Sequence, residues 1–202
     1  GTALVTMGVV GVGWPLGNNM PRQPAISQDR FIPGIRRVAD AVHAEGAKFA
    51  IQLHFGGLIA NPAARQPVWC PSIPLPSSGP SDLDAGYLLE EVEAAGFADL
   101  PPMDYHEMTQ ADIDALVGMF ADGARRAVEA GVDGLEIHGG YGYLFSSFLS
   151  PLTNRRTDAY GGPLENRARL LIDVVRAIRE VVGPDIAVWA KIDAVGDDPP
   201  AG

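Results

Sequence analysis

Four apolar segments alternate with three amphipathic ones along the chain. The apolar segments are short, rich in β-branched residues and followed by polar or glycine-containing loops, which is typical of strands buried on both faces. They span residues 3–12, 48–55, 132–137 and 186–194. Each amphipathic segment carries apolar residues at helical spacing and stops at a glycine. The pattern therefore predicts four strands with a helix between each consecutive pair.

Ser27, Thr109 and Pro163 mark the expected starts of the three helices. Thr109 is followed three residues later by Asp112, the spacing of a capping box, in which side chain and backbone satisfy each other at a helix start. The residues predicted to face the core are Phe31, Ile35, Val38 and Val42 in the first helix, Ile113, Leu116, Val117, Phe120, Ala124 and Val128 in the second, and Leu170, Leu171, Val174, Ile178 and Val181 in the third.

Alternation of strand and helix predicts right-handed crossovers and a parallel sheet, hence the α/β class. The glycines after the first strand lead into a Trp14-Pro15 loop and not into a helix, so the dinucleotide-binding fingerprint is absent. A (β/α)8 TIM barrel fits better, and four strands amount to an incomplete barrel. The chain starts at Gly1 and stops at Gly202 close to predicted strands, which we interpret as an internal piece of a longer protein.

Residues 60–104 form a Pro-rich stretch much longer than an ordinary strand-to-helix connection. We expect an excursion within a single domain of residues 1–202, with Trp69 and Tyr87 lining the mouth of a site. Cys70, with no neighbouring His or second Cys, is expected to be inert.

Composition narrows the classes of function. The 202 residues carry a formal charge of −10 without a marked basic cluster, which argues against nucleic-acid binding. One cysteine fits a reducing compartment. The sequence shows no run long and apolar enough to span a membrane and no leader segment. These features predict a soluble, cytoplasmic protein whose partner is a small molecule.

Polar residues at the ends of the strands are the candidates for chemistry, because the carboxyl ends of parallel strands carry the sites of such folds. His138, Tyr141 and Tyr143 follow the third strand, and Gln52 ends the second. Lys191 lies within the last strand, where a buried cation would need a partner or a depressed pKa. From the residues alone, structural roles for the histidine, glutamine and lysine stay open.

The strongest signal is a run of fixed spacing: HGGYGYL at 138–144, FLSP at 148–151, NRRTDAYGG at 154–162 and ENR at 165–167. It resembles the Old Yellow Enzyme family of FMN-dependent NADH:flavin oxidoreductases. That family ends its fourth barrel strand in His-x-x-(His or Asn)-Gly-Tyr-Leu, followed by Phe-Leu-Ser-Pro and Asn-x-Arg-x-Asp-x-Tyr-Gly-Gly. The resemblance extends over residues 3–194 and implies that the chain supplies strands two to five of the barrel.

The resemblance also implies a cofactor site and a reaction. Gln52 would fix the pyrimidine edge of FMN, Lys191 would face its N1 and O2 edge, and Gly8 would let the flavin lie close to the backbone. Hydride would pass from NAD(P)H through FMN to an activated C=C bond, as in an ene-reductase. The phosphate-binding loops would lie outside this chain, which by itself should bind FMN weakly and be inactive. The full-length protein could form a homo-oligomer.

For the substrate, the resemblance implies that His138 and Tyr141 hold the carbonyl oxygen and that Tyr143 donates a proton as general acid. Tyr141 departs from the family, which has His or Asn there, and this puts simple cyclic enones in doubt as substrates. The second-strand motif departs as well, with Phe55 at the usual His and Leu58 at the usual Arg.

Other classes of function remain open from the sequence. A flavin-free barrel lyase or aldolase could use Lys191 as a Schiff-base nucleophile with Tyr143 as acid. A metal site at His54 and His138 would lack a third ligand at suitable spacing, so no metal is expected. A non-catalytic fragment is the third alternative.

Overall fold

A computed structural model describes residues 1–61, 64–75 and 103–194. Its strands are β1 (Leu4–Gly11), β2 (Lys48–His54), β3 (Val68–Cys70), β4 (Tyr105–Glu107), β5 (Gly134–Gly139) and β6 (Ala187–Ile192). Its helices are α1 (Ile32–Ala44), α2 (Gln110–Glu129), α3 (Leu144–Leu149), α4 (Leu164–Arg167) and α5 (Arg169–Val182). Short 3-10 turns at Asp29–Phe31 and Gly57–Ile59 complete the described secondary structure.

The four predicted strands form one parallel sheet in the order β1-β2-β5-β6. The alternating helices supply the crossovers, and the parallel α/β architecture predicted from the sequence is confirmed. β1 and β6 are the edge strands of the sheet. β3 and β4 pair in parallel as a separate two-stranded sheet, which belongs to the predicted excursion. Residues 76–102 of that excursion, including Tyr87, lie outside the described residues.

The core lies between the sheet and helices α1, α2 and α5. Phe49, Ile51 and Leu53 on one face of β2 and Ala50 on the other are fully buried, as expected for a strand covered on both faces. α2 follows the prediction at Ile113, Leu116, Phe120 and Ala124, which are all fully buried.

Two helix faces differ from the prediction. α1 buries Ile32, Ile35 and Ala39, which lie at helical spacing on one face, while Val38 falls beside that face and is 39% exposed. Val181, at the end of α5, is also exposed.

The helix starts differ in how they form. The capping box is confirmed: the Asp112 N–H donates to Thr109 Oγ1 at 3.2 Å, and the Thr109 N–H donates to Asp112 Oδ2 at 2.8 Å. Ser27 does not cap, because its hydroxyl donates to the Trp14 carbonyl and a 3-10 turn precedes α1. The stretch after β5 contains a helix that the sequence analysis treated as loop. α3 forms there because Leu144, Phe145 and Phe148 bury one helical face.

At the amino end of the sheet, Asp133 ties three elements together. Its carboxylate accepts from Lys48 Nζ at 2.8 Å and from the Phe49 N–H at 2.9 Å, and it pairs with His43 Nε2 at 2.6 Å. Burial opposes the charge, but these hydrogen bonds prevail and lower the pKa of Asp133 to about 2. This end of the sheet therefore holds a structural ion-pair cluster.

Candidate active site

The carboxyl ends of β1, β2, β5 and β6 lie side by side and bring most of the predicted site residues together. The register pairs Gln52 of β2 with Glu136 of β5, and His138 of β5 with Lys191 of β6. Because the strands are parallel, these side chains share one edge of the sheet with the loop that carries Tyr143. The structure thus places Gln52, His138 and Lys191 on neighbouring strands.

Three rings form the centre of the site. The ring centroid of His54 lies 5.4 Å from that of His138 and 4.5 Å from that of Tyr143, and the last two are 4.8 Å apart. All three pairs meet edge to face, an arrangement that aromatic rings favour. Sequence analysis considered His54 only as a metal ligand, whereas the structure places it at the centre of the ring cluster.

Burial favours the neutral form of both histidines. His54 is fully buried, and its burial, together with the charge of a protonated His138, lowers its pKa to about 3. Burial also lowers the pKa of His138, helped by the positive charge of Lys191 and partly offset by the carboxylates of Glu136 and Asp193. In the described structure, both ring nitrogens of His54 lack a hydrogen-bond partner, and so does Nδ1 of His138. A neutral His138 therefore still has one N–H to offer a ligand.

Tyr143 sits at the N-cap position of α3 with its ring against both histidines. Its hydroxyl oxygen accepts a hydrogen bond of 3.0 Å from Nδ2 of Asn19, which lies in the loop after β1. The phenol is partly exposed, so it can reach a ligand at the edge of the sheet. Asn19 was not identified from the sequence, where it was one of several loop residues between Gly13 and Pro24.

Tyr141 takes a different position from the other predicted substrate residues. It has a φ of 60°, unusual for a residue with a side chain, and is 64% exposed. Its ring centroid is 5.9 Å from that of His138 and 4.5 Å from Nζ of Lys191, a cation–π contact. Asp193 holds this backbone by accepting from the Tyr141 N–H at 3.0 Å and from Ser146 Oγ at 2.9 Å. Tyr141 thus contacts Lys191 more closely than it does His138.

Gln52 is held in place by a residue that the sequence analysis did not single out. Its Nε2 donates to one carboxylate oxygen of Glu136, and the other oxygen accepts from Trp189 Nε1 at 2.7 Å. Gln52 is almost completely buried, and its Oε1 would lie only 2.9 Å from a side-chain carbon added at Gly8. A glycine at this position therefore leaves room for the Gln52 amide oxygen.

Lys191 lies on β6, the last strand of the described sheet, and its side chain is exposed in this chain. No group of three or more potential metal ligands occurs among the described residues. Within the same ranges, no helix has the length and hydropathy needed to cross a membrane.

Comparison with known proteins agrees with this geometry. A sequence model described as the NADH:flavin oxidoreductase / NADH oxidase family matches residues 1–197. The chain is 41% identical over 193 residues to a metal reductase from Desulforamulus reducens and 35% identical over 197 residues to an NADH oxidase from Thermoanaerobacter brockii. These matches cover 95% and 96% of this chain but only 25% and 27% of the two relatives.

Solved structures give the same result. Morphinone reductase matches with a TM-score of 0.77 and 31% identity over 94% of this chain and 49% of that protein. An Old Yellow Enzyme from a Pichia species matches with a TM-score of 0.76 and 29% identity over 94% of this chain and 46% of that protein. The chain thus spans roughly a quarter to a half of the relatives named here.

The chain is a parallel α/β sheet whose carboxyl end carries a glutamine, a histidine, a tyrosine and a lysine, and its family is that of the flavin oxidoreductases. The chain belongs to the NADH:flavin oxidoreductase / NADH oxidase family, with Old Yellow Enzyme as a structural neighbour and an incomplete barrel as its fold. Membership confirms the resemblance drawn from the motifs and implies FMN and NAD(P)H as cofactor and reductant.

The residues present fit the ring of FMN. Because Glu136 takes the Nε2 of Gln52, the amide oxygen is left as an acceptor beside the open backbone of Gly8. A flavin imide N–H is a suitable donor for such an oxygen, and Lys191 supplies a cation for the electron-rich pyrimidine edge. Gln52, Gly8 and Lys191 are therefore the residues of this chain that would hold the ring.

Proposed function

We propose that the complete protein reduces the C=C bond of an α,β-unsaturated carbonyl compound, using NAD(P)H as reductant and FMN as carrier. The observation that carries the proposal is the contact between His138 and Tyr143. The ring centroids of this imidazole and this phenol are 4.8 Å apart, at the carboxyl end of the sheet, where Gln52 and Lys191 also lie.

The two side chains suit the two halves of the reaction. FMN, when bound, supplies the hydride, which forms the new C–H bond at the β-carbon. His138 donates a hydrogen bond to the carbonyl oxygen and stabilises the negative charge that develops there as the C=C π bond breaks. Tyr143 transfers its hydroxyl proton to the α-carbon and later regains one from solvent. The alkene gains two electrons and two hydrogens, and NAD(P)H is oxidised.

The neutral state of His138 supports this role. Its pKa is lowered by burial, which favours the neutral ring, and a neutral ring carries one N–H that it can donate to the carbonyl oxygen. Proton donation then belongs to Tyr143, whose hydroxyl oxygen is held by Asn19.

Tyr141 bears on the choice of substrate. The face of its ring lies against Nζ of Lys191, 4.5 Å from the centroid, and on this proposal the carbonyl oxygen receives one strong donor, His138, where a second His or Asn would give two. One fewer donor weakens activation by a few kcal/mol at most. The proposed substrates are therefore alkenes with a strongly electron-withdrawing carbonyl group, such as an aldehyde or an imide, in preference to simple cyclic enones.

The test compares Tyr143→Phe with a matched variant, Tyr160→Phe, in the FMN-loaded protein expressed from the complete reading frame. The hydroxyl of Tyr160 bonds to Asp173 on α5, so its loss removes a phenol outside the site. We expect Tyr143→Phe to slow the oxidation of reduced flavin by an alkene about 100-fold or more, and Tyr160→Phe to leave it unchanged. Equal rates for the two variants would refute the proposed acid.

A further inference from the structure

Asn19 occupies the accepting side of the Tyr143 hydroxyl group and leaves its O–H to donate elsewhere. A phenol has one O–H to donate and a lone-pair side that accepts. Asn19 Nδ2 fills the accepting side at 3.0 Å, within the normal range for such a bond. Because an amide nitrogen only donates, the hydroxyl proton must point elsewhere.

No described residue takes that proton. The nearest polar ring is His54, whose centroid is 4.5 Å from that of Tyr143, yet neither of its ring nitrogens is engaged in a hydrogen bond. His54 meets Tyr143 at an interplanar angle of 89°, so it fixes the ring by packing and leaves the hydroxyl free. Within the described ranges, the O–H of Tyr143 is therefore available to a ligand.

Asn19 is itself held firmly enough to orient another group. Its backbone N–H donates to Gln23 Oε1 at 2.9 Å, and Gln23 is buried. The preceding carbonyl, that of Asn18, accepts from the Asn61 N–H at 2.7 Å, and the Gly17 carbonyl accepts from the Gly56 N–H at 2.7 Å. These bonds tie the loop after β1 to the loop after β2, so Asn19 approaches Tyr143 from a fixed backbone.

We propose that Asn19 is a positioning residue for the reaction: its side-chain amide donates to the Tyr143 hydroxyl oxygen and so directs the Tyr143 proton to the α-carbon of the substrate. The inference rests on the proposed function of Tyr143. Asn19 acts through Tyr143, to whose hydroxyl oxygen its side chain donates. The same bond stabilises the phenolate left after proton transfer, since the amide N–H continues to donate to the oxygen.

The test uses two substitutions of Asn19 that affect the direction of the Tyr143 O–H differently. Asn19→Asp keeps the shape but can only accept, so the Tyr143 O–H would turn towards the carboxylate and away from the substrate. Asn19→Leu removes the donor and leaves the O–H free to rotate. Asn166→Asp is the matched control, because it makes the same change at a partly buried position on α4, where the side-chain oxygen accepts from Arg169 Nη2 at 2.8 Å.

We expect Asn19→Asp to slow the oxidation of reduced flavin by the alkene at least about tenfold and Asn19→Leu to slow it less, with reduction of the flavin by NADPH unchanged in both. With an α-substituted alkene in D2O, wild type should give one α-epimer, and Asn19→Asp should give both, because solvent then protonates the substrate. A residue with only a structural role would tolerate the isosteric Asp better than Leu and would leave the product stereochemistry intact.

A second readout does not depend on turnover. In protein labelled with 15N-asparagine, the side-chain amide protons of Asn19 should exchange slowly with solvent in wild type and faster in Tyr143→Phe. Equal exchange in the two proteins, or equal alkene kinetics for Asn19→Asp and Asn166→Asp, would overturn the inference. If wild type itself reduced no alkene, the proposed function would fail, and the exchange experiment would still decide whether the bond exists.

Discussion

Replacing His54 by phenylalanine should change the dependence of stability on pH. His54 is fully buried and lacks hydrogen-bond partners, so the folded protein holds it uncharged, with a pKa of about 3 against 6.5 for the free side chain. Between these two values the unfolded chain binds a proton that the folded protein excludes. Stability is therefore complete above the upper value and decreases as the pH falls towards the lower one.

The size of the effect follows from the same two values. Between pH 7 and pH 5, proton binding to His54 in the unfolded chain lowers the free energy of unfolding by about 2 kcal/mol. Phenylalanine retains a ring against Tyr143 and His138 and carries no proton, so this contribution vanishes. The change also removes two unsatisfied nitrogen atoms, which offsets the cost of a larger side chain at pH 7.

The assay is urea unfolding of the apoprotein, expressed from the complete reading frame, at pH 7 and pH 5. We expect the variant to gain about 2 kcal/mol relative to wild type on acidification. Phe55→Leu, at the next and equally buried position, is the control, because it contains no titrating group and its offset should be the same at both pH values. A His54→Phe offset that is equally independent of pH would refute a neutral, buried histidine.

Two further substitutions should show that the amino end of the sheet affects stability and the carboxyl end affects flavin binding. Asp133→Asn should lower the free energy of unfolding at pH 7 by about 2 kcal/mol. The pKa of this carboxylate is lower in the folded protein than in the unfolded chain, so the ionised group stabilises the fold at neutral pH, and this stabilisation is lost only below about pH 4. Flavin binding should be unaffected, as calorimetry and FMN titration would show. Gly8→Ala should weaken FMN binding about tenfold or more, because the new methyl group displaces the Gln52 amide oxygen that lies 2.9 Å away; a fluorescence titration with unchanged affinity would contradict that role of Gly8.

The sequence was sufficient to predict the parallel sheet because the strands are apolar runs and the helices are amphipathic. The capping box at Thr109 and Asp112 was predicted for the same reason, since its partners are close in sequence. The motif at 138–144 also identified the family. These signals are local, and the physical constraint acts over a few residues.

The parts that were not predicted depend on contacts between distant segments. Glu136 holds Gln52 only because the register places them opposite each other on neighbouring strands. Asn19 and Tyr143 are 124 positions apart and meet through two loops. Local sequence patterns do not determine which residues of two strands lie opposite each other, nor which distant loops pack together.

An absorption spectrum of the purified protein from the complete reading frame, recorded under nitrogen, tests whether this chain builds the alkene-reducing part of a flavin site. We expect the bands of oxidised flavin, their loss on addition of NADPH and their return when an α,β-unsaturated aldehyde is added. A protein that binds no FMN, or a reduced flavin that no activated alkene reoxidises, would contradict it.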